Sequence, residues 1–127
     1  MDYEKVLFAF FIVLALTLNF GFFLGEIDNP AHHDAAELGA ALAVSLIATI
    51  MKFGDRSQMG ALLLATSLVA DLQLIVAAVY WAYAANISAD GVTSEVIVTV
   101  VSLSGGALLA NLVSVVLLVS ESIVIRR

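Results

Sequence analysis

The chain has 127 residues, 62% of them hydrophobic, with a mean hydropathy of +1.08 and a formal net charge of -6. A soluble domain of this length cannot hide that much apolar surface, because small globules keep much of their surface in water. Five basic residues, none grouped in a patch, exclude a nucleic-acid-binding surface, and the lack of cysteine excludes a disulfide framework and thiolate metal sites. The long apolar stretches place the chain in a lipid bilayer as a single membrane domain over residues 1–127.

The first predicted span covers residues 4–25, EKVLFAFFIVLALTLNFGFFLG. Its apolar run is longer than that of a cleaved signal, and Asp2 and Glu4 precede it where a signal has a basic start. It therefore reads as a retained helix. The link 25–34, GEIDNPAHHD, carries an Asn-Pro turn signal, and Asp34 with Glu37 reads as a capping box that opens the second span, 34–53. Within that span Gly39 and Ala43 have the spacing of a close helix contact. FGDRSQ (53–58) is a tight turn with Asp55 as N-cap of the third span, 57–85. NISADGVTSE (86–95) holds an Asp-Gly turn and Ser/Thr caps before the fourth span, 93–125, whose segment SLSGGALLAN (102–111) signals tight packing or a local bend. Each span is long enough for a hydrocarbon layer of about 30 Å. The expected fold is an all-α, four-transmembrane-helix bundle, and no internal repeat points to an inverted-repeat transporter.

Charge predicts the orientation. With four spans, Lys5, Lys52, Arg56, Arg126 and Arg127 all fall on one side, and the other side carries Glu26, Asp28, Asp34, Glu37, Asp90 and Glu95. The positive-inside rule makes the basic side cytoplasmic, with both termini there, and puts Trp81 and Tyr83 in the opposite aromatic belt. Lys52, Asp55 and Arg56 then anchor helix ends at the headgroups or form a basic inner mouth. Glu26, Asp28, Asp34 and Glu37 raise the cation concentration at the outer mouth. His33 and Glu37 stand one turn apart, a spacing open to metal ligation, but capping already occupies Asp34 and Glu37, and no metal or other cofactor is expected.

Asp71 lies in an apolar run without another charge between Arg56 and Ala85. A carboxylate at the centre of a lipid-spanning helix costs about 2.5–3.5 kcal/mol on insertion scales, so it faces protein or water. At helical spacing Gly60, Leu64, Ser67, Asp71 and Ala78 share a face of small and polar groups. That face either lines a water-filled path with Asp71 as cation ligand or forms a close helix contact. Thr66 and Gln73 share a different face and read as interhelical hydrogen-bonding residues. No Lys, Arg or His lies in the apolar spans to pair with Asp71, which leaves Asn19, Asn111, Ser45, Ser67 and Ser114 as partners. Asp71 is either protonated, as a structural acid or proton carrier, or ionised beside water or a cation. No nucleophile, phosphate cradle or intramembrane metal motif is present, and an enzyme is not expected.

The segment RSQMGALLLATSLVADLQL (56–74) resembles the pore helix of the Orai calcium-channel family, with Arg56 matching its inner basic residue, Asp71 its outer acidic residue, and Asp71-Leu72-Gln73-Leu74 the acid-x-Gln-Leu ending. The resemblance covers only this segment. In that family the helix is the first span and the acid is near its outer end; here the helix is the third and runs well past Asp71. Calcium selectivity is therefore not implied. The whole chain also resembles a family of small four-span prokaryotic membrane proteins of unassigned function, which implies a prokaryotic plasma membrane. In length and helix count it resembles the small multidrug resistance family of proton-coupled exporters, although that family's acid is in the first span.

Four helices cannot enclose a wide aqueous path, so the leading expectation is a homo-oligomeric cation channel or permeation protein. The third helix surrounds the axis and Asp71 forms an acidic ring. Ser67 and Gly60 wet the path, Leu64 gates it by dewetting, Arg56 stands at the inner mouth, and the partners are the bilayer, other copies of the chain and an inorganic cation. The alternatives are a proton-coupled exporter using Asp71 and a structural or regulatory membrane subunit without transport activity.

Overall fold

Four helices make up the computed structural model, which describes residues 3–24 and 35–126, the side chains of 122 and 124–126 excepted. They are α1 (Tyr3–Phe23), α2 (Ala35–Lys52), α3 (Gln58–Asn86) and α4 (Ser94–Arg126). Each is within a turn of its predicted bounds, and all four are long and apolar enough to cross a membrane. Helix is the only economical choice for such segments in lipid: backbone N–H and C=O groups find no water there and must pair within the segment. This constraint outweighs the modest helix propensity of the many Val and Ile residues in α4. The chain's apolar character forms no single stripe. Phe10, Leu72, Val79 and Leu109 are all more than half exposed on the outside of the bundle, which fits a lipid surround better than water.

The turns follow local chemistry. Ser57 is the N-cap of α3, its hydroxyl accepting from the Gly60 N–H at 2.9 Å. This corrects the expectation that Asp55 caps that helix. Asp55 instead braces the cap, its carboxylate accepting from the Ser57 N–H at 2.9 Å and the Ser57 hydroxyl at 2.7 Å. Gly60 matters here because a side chain at that position would collide with the Asp55 carboxylate. Between α3 and α4 the expected Asp-Gly turn is present: Gly91 has φ +68°, a conformation that favours glycine. Thr93 then receives the Val96 N–H at 3.3 Å. The expected capping box at Asp34 lies outside the described residues.

The helices run alternately up and down, each packed on its sequence neighbour, with α4 closing against α1. Side-chain contacts fix the registers. Lys52 Nζ of α2 sits 4.4 Å from the Phe8 ring centroid of α1, and at the far end of that pair the Glu37 carboxylate fills the space left by Gly21. The Thr66 and Ser114 hydroxyls meet at 2.5 Å between α3 and α4, and Gln73 lies over Gly106 further along. Gly105 likewise makes room for the Phe23 ring. The small residues of 102–111 thus serve close packing, as their composition implied. Gly39 and Ala43 do not: open space lies beside Gly39 and Ala43 is exposed, so the pair is on the outer surface of the bundle.

Two apolar clusters form the interior. One, toward the end away from Tyr3, centres on Phe22, Leu38, Leu74, Ile97, Val100 and Val101, with Trp81 edge-on to Phe22 at 6.0 Å between centroids. The other, toward the opposite end, contains Phe8, Ile12, Ala48 and Leu63. They are not continuous, and buried polar side chains occur among and between them.

Two measurements test the α2–α3 turn. Ser57→Ala is expected to lower thermal stability by about 1 kcal/mol through loss of the cap, and Ser57→Gly by only a few tenths. Hydrogen bonds from Ser57, first from its hydroxyl and then from its N–H, with a smaller contribution from Lys52, hold the Asp55 carboxyl below its ordinary value of 3.8. A depressed folded value stabilises the fold at pH above the ordinary value, and this contribution is lost as pH falls through the folded value. Asp55→Asn is expected to remove that part of the acid dependence in unfolding scans.

Candidate functional site: a polar layer around Asp71

Each helix turns at least one polar side chain into the bundle. Asn19 comes from α1, Ser45 and Thr49 from α2, Ser67 and Asp71 from α3, and Ser104, Asn111 and Ser114 from α4, all of them buried. The spacing explains the layer. Ser45 and Thr49 are one turn apart on α2, Ser67 and Asp71 one turn apart on α3, and Ser104, Asn111 and Ser114 recur on one face of α4. On every helix these positions interrupt the apolar face that supplies the two core clusters.

Asp71 is 4% exposed. Its Oδ1 accepts from the Ser45 hydroxyl at 2.6 Å and its Oδ2 meets the Thr49 hydroxyl, both on α2 of the same chain. The Thr49 hydroxyl also reaches the Ser45 carbonyl oxygen at 2.9 Å. Asp71 is the only buried acid among the described residues, and the ion pair of Lys52 with Asp55, at 3.5 Å, is away from it in the α2–α3 turn. The rest of the layer is only partly satisfied. Ser104 donates to Asn19 Oδ1 at 2.5 Å, but Asn19 Nδ2, Ser67 Oγ and both amide atoms of Asn111 are buried without a partner. Buried polar groups in native proteins nearly always have a hydrogen-bond partner, protein or water, so these atoms have capacity left for water or a ligand.

The expected site residues fare unequally. Gly60, Ser67 and Asp71 all face inward, but toward their own bundle. An acidic ring around an axis shared by several chains needs Asp71 on the outer surface of α3; the carboxylate points the other way, because only the α2 hydroxyls offer it partners. Gly60 is covered by Asp55 and opens no path. Leu64 is half-buried, and Leu63, 1% exposed, is the residue that enters the core. Arg56 is exposed in the α2–α3 turn. Of the acidic residues expected at one mouth, Glu26, Asp28 and Asp34 lie outside the described residues, as do His32 and His33; Glu37 is half-buried against Gly21. Thr66 and Gln73 both turn to α4. Of the residues expected as Asp71 partners, all five are buried but only Ser45 bonds to it; Ser114 meets Thr66 and Asn19 meets Ser104. Thr49 was missed, although its place one turn after Ser45 puts it on the same face.

A family model matches residues 32–122, well over half of the chain, and its description is a family of unknown function, DUF6394. The chain belongs to this family. The DUF6394 segment holds α2, α3 and all of α4 that contributes to the polar layer, while Asn19 on α1 lies before it. No curated protein and no solved structure matches the chain.

The clasp on Asp71 has a thermodynamic signature. Thr49→Val is expected to destabilise the detergent-solubilised protein by about 1–3 kcal/mol, the cost of leaving a buried acceptor short of a partner. In an Asp71→Leu background the same substitution is expected to cost much less. A double-mutant cycle read by chemical or thermal unfolding measures the difference.

Proposed function

We propose that this is a multi-pass integral membrane protein that moves a cation through its own four-helix bundle, with Asp71 as the residue that takes the ion up and releases it. The observation that carries the reading is the position of Asp71: a single buried carboxylate, without a cationic partner, in a polar layer that divides an otherwise apolar bundle of bilayer length. Ionisable residues at such depth cost free energy and mark ion or proton pathways. The reading is of a transporter, not an enzyme, and it places the working site within each chain. It is thus nearer to proton-coupled exchange than to a pore lined by α3 between copies. Lys5, Lys52, Arg56 and Arg126 at one end support a cytoplasmic location for both termini; the resemblance to small prokaryotic membrane proteins favours a plasma membrane.

A second reading has its own support. Both carboxylate oxygens of Asp71 are engaged by α2 hydroxyls, which suits a structural subunit whose acid serves only to pair two helices.

Reconstitution separates the two. Wild-type protein in liposomes is expected to pass protons or alkali cations down a gradient, measured with a pH-sensitive or ion-sensitive dye. Asp71→Asn, which keeps the shape of the side chain, and Asp71→Ala are both expected to reduce the flux to that of empty liposomes. No flux from folded wild-type protein, together with weakened helix association in Asp71→Ala, establishes the structural reading instead.

A further inference from the structure

The Thr49 hydroxyl has one proton and two acceptors, the Ser45 carbonyl oxygen at 2.9 Å and Asp71 Oδ2. When it donates along its own helix, the Thr49 and Asp71 oxygens face each other without that proton between them. Thr49 Oγ1 and Asp71 Oδ2 can then both turn lone pairs to a cation. The surrounding atoms add to this. Ser67 Oγ and Asn111 Oδ1 are on fully buried residues and have no partner. Both are oxygen atoms able to act as ligands to a cation beside Asp71.

The registers bring these atoms to one level. Thr66 meets Ser114 and Gln73 lies over Gly106. Ser67 and Asp71 fall between the first members of those pairs on α3, and Asn111 falls between the second members on α4. All three face the interior. Across from them Ser45 and Thr49 reach Asp71 from α2.

We propose that Asp71, Ser45, Thr49, Ser67 and Asn111 form a binding site for one dehydrated alkali cation. The donor set is carboxylate, hydroxyl and amide oxygen, which suits hard cations over transition metals. It contains one negative charge, which neutralises a monovalent ion. Calcium sites draw on six to eight oxygens, as a rule with several carboxylates; no cluster of three or more His, Cys, Asp or Glu side chains exists among the described residues. The proposal rests on the reading of Asp71 as a cation-handling residue and names the class of ion.

The test is binding to the full-length purified protein in detergent, with sodium, potassium or choline chloride at matched ionic strength. Sodium or potassium is expected to raise the thermal midpoint above that in choline in a saturable manner, and radiolabelled sodium or rubidium to bind in competition with the same ion. Ser67→Ala and Asn111→Leu are expected to weaken the apparent affinity by about tenfold or more, as loss of a metal-site group does. Asn111→Leu replaces an unsatisfied amide by an apolar group of similar size, so its stability in choline is expected to equal or exceed wild type. That separates loss of the ion from loss of the fold. Equal midpoints in all three salts, or an ion response unchanged in both variants, would overturn the proposal. Equal midpoints with Asp71-dependent proton flux intact leave the transport reading standing and remove the cation site. An ion response without flux keeps the site and removes transport.

Discussion

One carboxylate clasped by two hydroxyls organises this bundle. Asp71 has no counter-charge among the described residues, and Ser45 and Thr49 on α2 meet its oxygens. In a low-dielectric interior an unmet polar group is expensive. The α2–α3 pair is thereby held in one rotational setting, with Leu63 and Leu74 entering the core and Leu72 left on the surface. Once α3 is so turned, Thr66 and Gln73 fall against α4, where Ser114 and Gly106 receive them.

The same setting breaks the apolar core in two. Phe22, Leu38, Leu74, Ile97, Val100 and Val101 pack on one side of the polar layer, and Phe8, Ile12, Ala48 and Leu63 on the other. In a membrane the hydrophobic effect does not drive helices together, since lipid tails are as apolar as leucine; close packing and interhelical hydrogen bonds do. Gly105 and Gly106 permit the first, and the Asp71, Thr66 and Ser104 contacts supply the second. Hydroxyls on exposed positions behave differently. Thr17 and Thr99 donate to carbonyls of their own helix, at 2.9 and 3.2 Å, and so cost little where no partner helix is near.

The helices and their ends were legible from residue order because bilayer length and local punctuation are both properties of short segments. The Asp-Gly turn before α4 and the tight packing around Gly105 were readable for that reason. The N-cap of α3 was misplaced by two positions, since Asp55 and Ser57 have equal claims until the backbone decides which hydroxyl or carboxylate reaches the Gly60 N–H. The shared face of Gly60, Ser67 and Asp71 was correct as geometry, but a helix-face argument does not say which neighbour that face meets.

Amino-acid order alone thus determined four apolar spans, their caps, a charge bias between the two ends and an isolated acid that had to face something polar. Those follow from hydropathy, length and the local periodicity of a helix. Only the tertiary structure decided that Asp71 turns into its own bundle, that Thr49 completes its clasp and that Asn111 and Ser67 are buried without a partner. Rotation of one helix against another is fixed by contacts between distant segments, and the spacing within any single segment carries no record of them.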